Sequence, residues 1–242
     1  MMIVNNPIGL IGDVLGTFPV LQQLNKDNPD LKVIPHPEVK WVYDLVPDLE
    51  LCEPQEFDNE LNLSGAFTVS HQHGVYMSQA HYPFMGYPIP NLPCKAELSL
   101  KQVDVNIYDY IIAPFGRSAP NEQKWPVENW LKLIELMPDK QFAIFGTSKH
   151  DLEFPDYLPN VTNIFDRDIH EICNLMIYAN HGVISIVTGI SHLCYHLGVK
   201  NYLLTNQIGM TWGMNPEAVI ISNHIPSLTP IQLHDILSTE RE

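Results

Sequence analysis

Short apolar runs and amphipathic segments alternate along almost the whole chain. The runs MMIV, LKVIPH, YDYIIAPF, KQFAIFG, GVISIV and KNYLLT are typical of buried strands. Between them, segments such as VLGTFPVLQQLNKDNP, VENWLKLIELM and IHEICNLMIYA have the apolar spacing of helices. Strands that alternate with helices through short connections predict an α/β fold with parallel sheets covered on both faces.

The less regular parts of the chain extend this alternation. PEVKWVYDLV, which Pro37 opens, predicts a short helix, PIQLHDILST predicts a C-terminal helix, and LELCEP, GAFTVS, NVTNIF and AVIIS predict short strands. A further helix is expected around 74–84, and the prolines that follow it exclude regular structure. This proline-dense segment predicts two doubly wound domains, 1–103 and 104–242, that face a cleft.

Composition and charge restrict the class of protein. The 242 residues are 45% hydrophobic, and 13 Lys+Arg against 28 Asp+Glu give a formal net charge of -15. Nucleic acids and anionic membranes both require clustered cations, so neither is expected as a partner. No apolar stretch approaches the roughly 18 residues of a transmembrane helix, and the basic region of a signal peptide is missing. A cytoplasmic protein is therefore expected.

The cysteines and the clustered histidines do not predict a metal site. The four cysteines are far apart and form no CxxC, which favours buried thiols in a reducing compartment. His71, His73 and His81 crowd one segment, but a metal site needs a third or fourth ligand that is held rigidly. Contact with an acceptor molecule, or a surface location, is the favoured interpretation of these histidines, and no metal or other cofactor is expected.

The loop after the first predicted strand places a carboxylate at the start of the first helix. Gly12 and Asp13 lie between MMIV and the apolar segment that begins at Val14. One interpretation is that Gly12 makes the turn and Asp13 caps the helix, as aspartate commonly does. The other is that Asp13 is a general base that takes a proton from an acceptor hydroxyl. A capping hydrogen bond would lower the basicity of the carboxylate.

The loop after YDYIIAPF holds two cations in a chain that has few of them. Gly116, Arg117, Ser118 and Lys124 lie between this strand and the helix that follows the WP pair. Ligands of open α/β sheets bind at the carboxyl ends of strands, where an Arg and a Lys suit a phosphate or diphosphate. A solvated loop with surface cations is the alternative. Trp125 is expected to be a packing residue.

A third loop joins the strand GVISIV to the helix GISHLCYHLG. Thr188 and Gly189 lie at the junction, and Ser191 and His192 fall in the first helical turn. Gly189 would let the backbone approach a ligand closely. Thr188, Ser191 and the free N–H groups of the helix N-terminus could then hold phosphate oxygens, with His192 as a further donor. An ordinary strand–helix turn with a half-buried histidine is the alternative.

In this order, the three loops resemble the ADP-heptose:lipopolysaccharide heptosyltransferase family, which are inverting glycosyltransferases of the GT-B fold. That family opens with Gly-Asp, then Pro and an apolar helix, which is similar to Gly12-Asp13 and Pro19 here. Its second domain has a cation beside Trp-Pro, similar to KWP here, and later an Asp-Thr-Gly followed by a histidine. The resemblance covers most of the chain, most clearly 8–50 and 108–206.

The resemblance implies an inverting, metal-independent transfer of a sugar from a nucleotide-diphosphate sugar to a hydroxyl acceptor such as a glycan, with a heptose-like sugar as one candidate donor. It implies that 1–103 is the acceptor-side domain, with Gly12, His71 and His73 on that side, and that Asp13 is the catalytic base. It further implies that 104–242 binds the donor.

The implied donor site draws on each loop of the second domain. Lys124 would contact the diphosphate and stabilise the leaving nucleotide, and Thr188 and Gly189 would bind phosphate. An acidic residue soon after a strand-ending glycine would hold the ribose, and Asp151 is favoured over Glu153 for this role. The implied set is Gly116, Arg117, Ser118, Lys124, Gly146, Asp151, Thr188, Gly189, Ser191 and His192.

Two departures from the family keep other functions open. Val187 stands where the family has an aspartate, and the first domain is expected to be trimmed after about residue 50. A non-catalytic nucleotide-sugar or sugar-binding module and a nucleotide-sugar epimerase of the GT-B type are therefore the alternatives. A serine hydrolase and a P-loop NTPase are disfavoured, because the chain has neither GxSxG nor GxxxxGK[ST].

Overall fold

The protein consists of two compact units, each built around its own parallel sheet. The first comprises Met1–Lys101 with Met210–Pro216, and the second Gln102–Gly209 with Glu217–Glu242. The computed structural model of the chain describes residues 2–54, 60–63, 74–116, 124–148, 151, 154, 158–206, 214–222 and 225–239.

Four short strands form the sheet of the first unit. They are β1 Met2–Asn6, β2 Leu31–Pro35, β3 Glu50–Leu51 and β4 Glu60–Asn62. All pairs are parallel and the order is β3-β2-β1-β4. The chain moves outward from β1 to β3 and then places β4 on the other side of β1. The direction of the strand order therefore reverses between β1 and β4.

One long helix dominates the helical part of the first unit. The elements are α1 Ile11–Asp27, a 3-10 helix Pro37–Leu45, the one-turn α2 Met77–Ala80 and a 3-10 turn Pro83–Met85. Helix α1 buries ten residues and packs against α2 and the first 3-10 helix.

Three helix predictions in the first unit need correction. Helix α1 begins at Ile11 rather than Val14, because the N–H of Val14 already donates to the carbonyl of Leu10 at 3.0 Å. The segment opened by Pro37 is a 3-10 helix. The helix expected over 74–84 is split, because Pro83 has no N–H with which to continue the helical bonds.

The strand predictions of the first unit also differ from the structure at one place. The predicted strand GAFTVS lies outside the described residues. Strand β4, Glu60–Asn62, was not predicted, because two of its three residues are polar and it has no apolar run.

Six strands form the sheet of the second unit. They are β5 Tyr110–Ala113, β6 Phe142–Gly146, β7 Val161–Phe165, β8 Val183–Ile186, β9 Asn201–Leu204 and β10 Val219–Ser222. The order is β10-β9-β8-β5-β6-β7, and every pair is parallel. From β5 the chain moves outward through β6 to β7 at one edge of the sheet. It then returns to the other side of β5 and adds β8, β9 and β10 in turn. The order therefore reverses between β5 and β8.

The helices of the second unit connect these strands. They are α3 Val127–Glu135, α4 Ile169–Ile177, α5 Gly189–Leu197 and α6 Pro230–Thr239, with a 3-10 turn at Ile225–Ser227. Connections between parallel strands are right-handed in about 98% of cases, which places α3 and α5 on opposite faces, because they lead in opposite directions along the sheet. Accordingly, α3 packs on α6 and α4 on α5. The predicted α/β class with two doubly wound parallel sheets is confirmed.

Two observations bear on the expectations for membrane spans and for the cysteines. In the ranges that the structure describes, no helix combines the length and the apolar character that a membrane span requires. The four cysteines are free thiols. Cys173 and Cys194 are buried as expected, whereas Cys52 and Cys94 are only partly buried, which corrects the expectation for those two.

Candidate functional site

The three predicted loops follow strands at which a sheet reverses its order. Such a reversal opens a crevice at the carboxyl ends of the two flanking strands, where α/β proteins bind ligands. In the first unit, β1 leads through its loop to Gly12 and Asp13. In the second unit, Gly116 follows β5, and Thr188 and Gly189 follow β8. The topology thus brings the second and third predicted loops to one crevice.

Asp13 lies inside the first turn of α1 and does not cap it. The N-cap is Leu10, whose extended backbone offers no side-chain capping bond, and Asp13 is the third helical residue. The interpretation of Asp13 as the capping residue is therefore wrong. Its side chain is half-buried and, within the described part of the chain, makes no hydrogen bond or ion pair.

Burial makes the carboxyl of Asp13 less acidic. It raises the pKa of Asp13 from 3.8 to about 6. The positive end of the helix dipole favours the ionised form, but desolvation outweighs that effect. A carboxylate whose pKa lies just below neutrality is still ionised at pH 7 and is a stronger base than an exposed aspartate. Its environment is therefore that of a potential general base.

A histidine lies against the loop that leads into α1. A Cβ at Gly9 would be 3.1 Å from Cε1 of His36, so the absence of a side chain at Gly9 gives the imidazole its room. Nδ1 of His36 accepts a hydrogen bond from the N–H of Glu38 at 3.2 Å, which leaves the proton of a neutral ring on Nε2. Sequence reasoning missed this half-buried histidine, although it directly follows an apolar strand.

The turn after β8 is a capped helix start. The Oγ1 of Thr188 accepts from the N–H of Ile190 at 3.2 Å, while the Oγ of Ser191 donates to the carbonyl of Thr188 at 2.8 Å. A capping box closes the same turn: the N–H of Thr188 donates to Oγ of Ser191 at 3.4 Å, and the N–H of Ser191 donates to the side chain of Thr188, so both hydroxyls are engaged. The N–H groups of Ile190, Ser191 and His192 donate within this turn, so at the start of α5 the N–H of the half-buried Gly189 is the group best suited to approach an anion.

His192 is a core histidine rather than a charged ligand. It is 4% exposed, and burial lowers its pKa from 6.5 to about 4. It is therefore neutral at pH 7 and can donate one hydrogen bond without contributing a positive charge. The neighbouring Tyr195 and His196 are also buried, at 3% and 7% exposure.

The loop after β5 is described at its two ends. Gly116 is half-buried, and Lys124 is exposed just ahead of α3. Arg117 and Ser118 lie outside the described residues. Trp125 is the packing residue that the sequence predicted, since its Nε1 donates to the carbonyl of Leu228 at 2.9 Å. The centroid of its ring lies 4.7 Å from that of Trp130, and the two rings meet edge to face.

Gly146 and Asp151 both have structural roles at the end of β6. A Cβ at Gly146 would lie 2.6 Å from the ring of Phe165 on the adjacent strand, so packing demands a glycine there. The carboxylate of Asp151 accepts from the N–H of Thr147 at 2.8 Å and from its hydroxyl at 3.1 Å. One carboxylate oxygen, Oδ2, therefore holds the loop.

A second carboxylate, missed in the sequence, lies at this loop. Asp166 follows β7 with a left-handed φ of 54° and accepts from the N–H of Ser148 at 3.2 Å. The left-handed backbone brings its carboxylate over the end of the neighbouring strand. A positive φ at a residue other than glycine is not readable from sequence, although aspartate tolerates it better than most residues.

The acceptor-side residues are described only in part. Gly12 is buried as the second residue of α1, and His71 and His73 lie outside the described residues. His81 is fully buried, which lowers its pKa to about 3. Among the described residues, no three His, Cys, Asp or Glu side chains are grouped as metal ligands would be.

Two cavities in the second unit lie away from the predicted residues. One of about 310 Å³ lies between α4, β7 and residues 104–108. The other, about 500 Å³, lies at the amino ends of β5, β8 and β9, beside His181 and Lys200. Neither coincides with the carboxyl ends of the strands, so neither is the crevice described above.

Comparisons with known proteins identify similar structures but no related sequences. No protein-family model matches the sequence, and no curated protein matches it. E. coli heptosyltransferase WaaC with ADP has a TM-score of 0.70 at 14% identity, with 99% of each chain covered. WaaC is also known with ADP-2-deoxy-2-fluoro heptose.

Two further structures are similar at the same level. The glycosyl transferase family 9 protein from Veillonella parvula DSM 2008 has a TM-score of 0.68 at 14% identity, covering 99% of this chain and 97% of that one. The iron-containing dodecameric glycosyltransferase TibC from enterotoxigenic E. coli H10407 has a TM-score of 0.67 at 16% identity over 91% of this chain, which spans 62% of TibC. At such identities the likeness shows the fold, and this chain has a GT-B-like fold.

Proposed function

We propose that this protein is a glycosyltransferase that moves a sugar from a nucleotide-diphosphate sugar to a hydroxyl acceptor such as a glycan. The observation that carries the proposal is Asp13, a half-buried carboxyl with a pKa raised to about 6 in the loop–helix junction after β1. The GT-B-like fold and the binding of ADP and an ADP-heptose analogue by WaaC support it. ADP-sugars, including ADP-heptose, are therefore the first donors to test.

In the proposed reaction, Asp13 acts on the acceptor. Its carboxylate takes the proton of the acceptor hydroxyl as that oxygen attacks the anomeric carbon of the donor. The new carbon–oxygen bond forms on the face opposite the bond to the diphosphate, which breaks, so the anomeric configuration inverts. The proton then leaves Asp13 for water. With a pKa of about 6, the base is mostly ionised at pH 7 and is ready for each turnover.

The second unit would stabilise the departing nucleoside diphosphate. Lys124 and Arg117 supply positive charge after β5, and the N–H groups at the start of α5 supply partial positive charge after β8. Gly189 has no side chain that would block a phosphate beside that helix. We propose that these groups neutralise the leaving group without a metal ion, so transfer should persist in excess EDTA. Asp151 remains the proposed ribose ligand, through its second carboxylate oxygen.

Donor binding is the first test. A thermal-shift screen with nucleoside diphosphates and nucleotide sugars should reveal one stabilising base, with about 2.7 kcal/mol of stabilisation at a hundred times the dissociation constant. Lys124→Ala should reduce that shift. Lys132→Ala is the matched control, because Lys132 is an exposed lysine in the same unit that pairs with Glu135 at 2.9 Å. No shift with any nucleotide at saturation would refute the proposed donor site.

Transfer itself is tested with the donor so identified. Asp13→Asn should lower kcat by about 10²–10⁴-fold while leaving donor binding unchanged, because only the proton acceptor is lost. Asp44→Asn, an exposed aspartate in the same unit, serves as the control. Full transfer activity in Asp13→Asn would rule out its assignment as the base.

A non-catalytic nucleotide-sugar-binding module is the second candidate. Val187 favours it, because the carboxylate that the heptosyltransferase family carries at that position is replaced by an apolar side chain. This candidate predicts donor binding with no transfer to any hydroxyl acceptor. An epimerase would instead convert the nucleotide sugar in the absence of an acceptor, so product analysis without an acceptor separates the two.

A further inference from the structure

Three buried polar side chains meet beside the first turns of α1. Asn6 ends β1, Thr17 belongs to α1 and Tyr43 to the 3-10 helix, and their exposed fractions are 0%, 0% and 2%. Nδ2 of Asn6 donates to Oγ1 of Thr17 at 2.9 Å and to Oη of Tyr43 at 2.7 Å. Thr17 in turn donates to the carbonyl of Val14 at 2.7 Å. These three side chains, here called the Asn6 network, tie three elements together.

The Asn6 network stabilises the core less than apolar side chains of similar shape would. Oδ1 of Asn6 is buried and has no hydrogen-bond partner among the residues that the structure describes. Turning the amide over would exchange oxygen for nitrogen and still leave one polar atom unpaired. Such an atom costs about 1–3 kcal/mol, and apolar side chains of similar shape would avoid that cost. What a buried polar network supplies in exchange is a single defined geometry.

The N-terminal half of α1 needs such an anchor. Gly12 and Gly16 each make a helix about 1 kcal/mol less favourable than alanine would. Pro19 has no N–H, so the carbonyl of Leu15 lacks its helical partner. Gly16 is required for packing, because a Cβ there would lie 2.7 Å from the side chain of Met77. Local propensity is therefore too weak to hold this half of the helix, and tertiary contacts must do so.

Asp13 lies in the helical turn that the Asn6 network holds in place. It directly precedes Val14, whose carbonyl accepts the Thr17 hydroxyl, and it lies one helical turn before Thr17 on the same side of the helix. We propose that the Asn6 network positions the Asp13 carboxyl by fixing the first turns of α1 to the end of β1, and so keeps that carboxyl desolvated. The proposal rests on the role of Asp13 as the base. Asn6, Thr17 and Tyr43 are positioning residues that act through it.

The pKa of Asp13 measures how well its carboxyl is shielded from water. Desolvation alone raises its pKa. Of the elements that pack against α1, the 3-10 helix carries the charged residues Glu38, Lys40 and Asp44, all exposed, and α2 carries none. A loosened α1 would therefore let water reach Asp13, and its pKa would fall toward 3.8.

The test measures the pKa of Asp13 by carbon-13 NMR on protein labelled at the aspartate carboxyl carbon, with the signal assigned by its loss in Asp13→Asn. Thr17→Val keeps the shape and removes the hydroxyl. It should lower the pKa by about 0.5 or more, which is about a threefold loss of proton affinity. Ser78→Ala is the matched control, since Ser78 is a fully buried hydroxyl of the same unit that accepts from the N–H of Cys94 at 3.1 Å. The control should lower stability without changing the pKa of Asp13.

Tyr43→Phe is the second variant, and it decides the matter if Thr17→Val does not fold. It retains the edge-to-face contact with Phe18, whose ring centroid lies 5.1 Å from that of Tyr43, and removes only the hydroxyl. It should therefore also lower the pKa of Asp13. An unchanged pKa of Asp13 in the folded variants would overturn the positioning role. In a transfer assay, the acid limb of kcat should move with that pKa while KM for the donor stays constant. A wild-type protein without transfer activity but with a network-dependent pKa would reject the proposed function and leave the positioning role supported.

Discussion

Replacing Asp13 by asparagine should stabilise the protein at neutral pH but not in acid. The pKa of this carboxyl is about 6 in the folded protein against an ordinary 3.8. The folded state therefore holds the proton more tightly than the unfolded state, and the free energy of unfolding falls as pH rises from about 4 to about 6. Above about pH 6 the penalty is complete, and below about pH 4 it disappears. Asparagine has the same shape but never ionises, so it avoids the penalty.

The size of the effect follows from the shift in proton affinity. A tenfold change corresponds to about 1.4 kcal/mol, so a pKa raised from 3.8 to about 6 corresponds to about 3 kcal/mol at neutral pH. Because the side chain is only half-buried, solvent screening reduces this figure, and a gain of about 1–3 kcal/mol is expected. Such a gain is a substantial fraction of the total stability of an ordinary domain.

Urea unfolding curves of the wild type and Asp13→Asn at a series of pH values provide the assay. The difference in free energy of unfolding should grow from near zero at about pH 4 to its full value at about pH 7, with no change in the slope against urea. Asp44→Asn, the exposed control, should stay within about 0.5 kcal/mol of the wild type throughout. A difference that is independent of pH, or a variant that is less stable at neutral pH, would refute the argument that burial controls this carboxyl.

Three further predictions concern the second unit. Gly146→Ala should destabilise the protein by about 1–3 kcal/mol in chemical denaturation, because the new Cβ would lie 2.6 Å from the Phe165 ring, and Phe165→Leu in the same chain should recover part of the loss. Trp125→Phe should cost about 1–3 kcal/mol, because it removes the donor to the buried carbonyl of Leu228, and a loss no larger than that of the exposed Trp41→Phe would contradict this. Thr188→Val should cost about 0.5–2 kcal/mol through the lost helix cap, and isothermal titration should show weaker binding of the donor nucleotide; unchanged stability would disprove the capping role.

Much of the fold was predictable because its signals are local. Buried parallel strands such as Val183–Ile186 and Asn201–Leu204 are continuous apolar runs, and an amphipathic helix such as Val127–Glu135 shows its period directly. The prolines of 88–93 correctly marked a segment without helices or strands, whereas Pro19 lies inside α1 without ending it. The three-residue strand Glu60–Asn62 escaped prediction, because only pairing with β1 makes it a strand.

The candidate site was predictable as a set of residue types but not as a set of roles. The ring of Phe165, on the neighbouring strand, gives Gly146 a packing role that the sequence did not show, while its assignment to the donor stays a prediction. Asp13 was weighed as a cap, yet the helix begins two residues earlier, at Ile11. Both depend on neighbours that the chain brings together only on folding.

By itself, the sequence determined the alternation of strands and helices, the α/β class and the loops in which the two cations and the Asp13 carboxylate occur. These properties follow from hydrophobic period, proline and glycine, which act over a few residues. Only the tertiary structure decided that the sheets reverse their order beside β1 and β5, and that Asn6, Thr17 and Tyr43 meet beneath α1. It also decided that burial raises the pKa of Asp13. Desolvation depends on every atom that surrounds a group in space, and no local stretch of sequence carries that information.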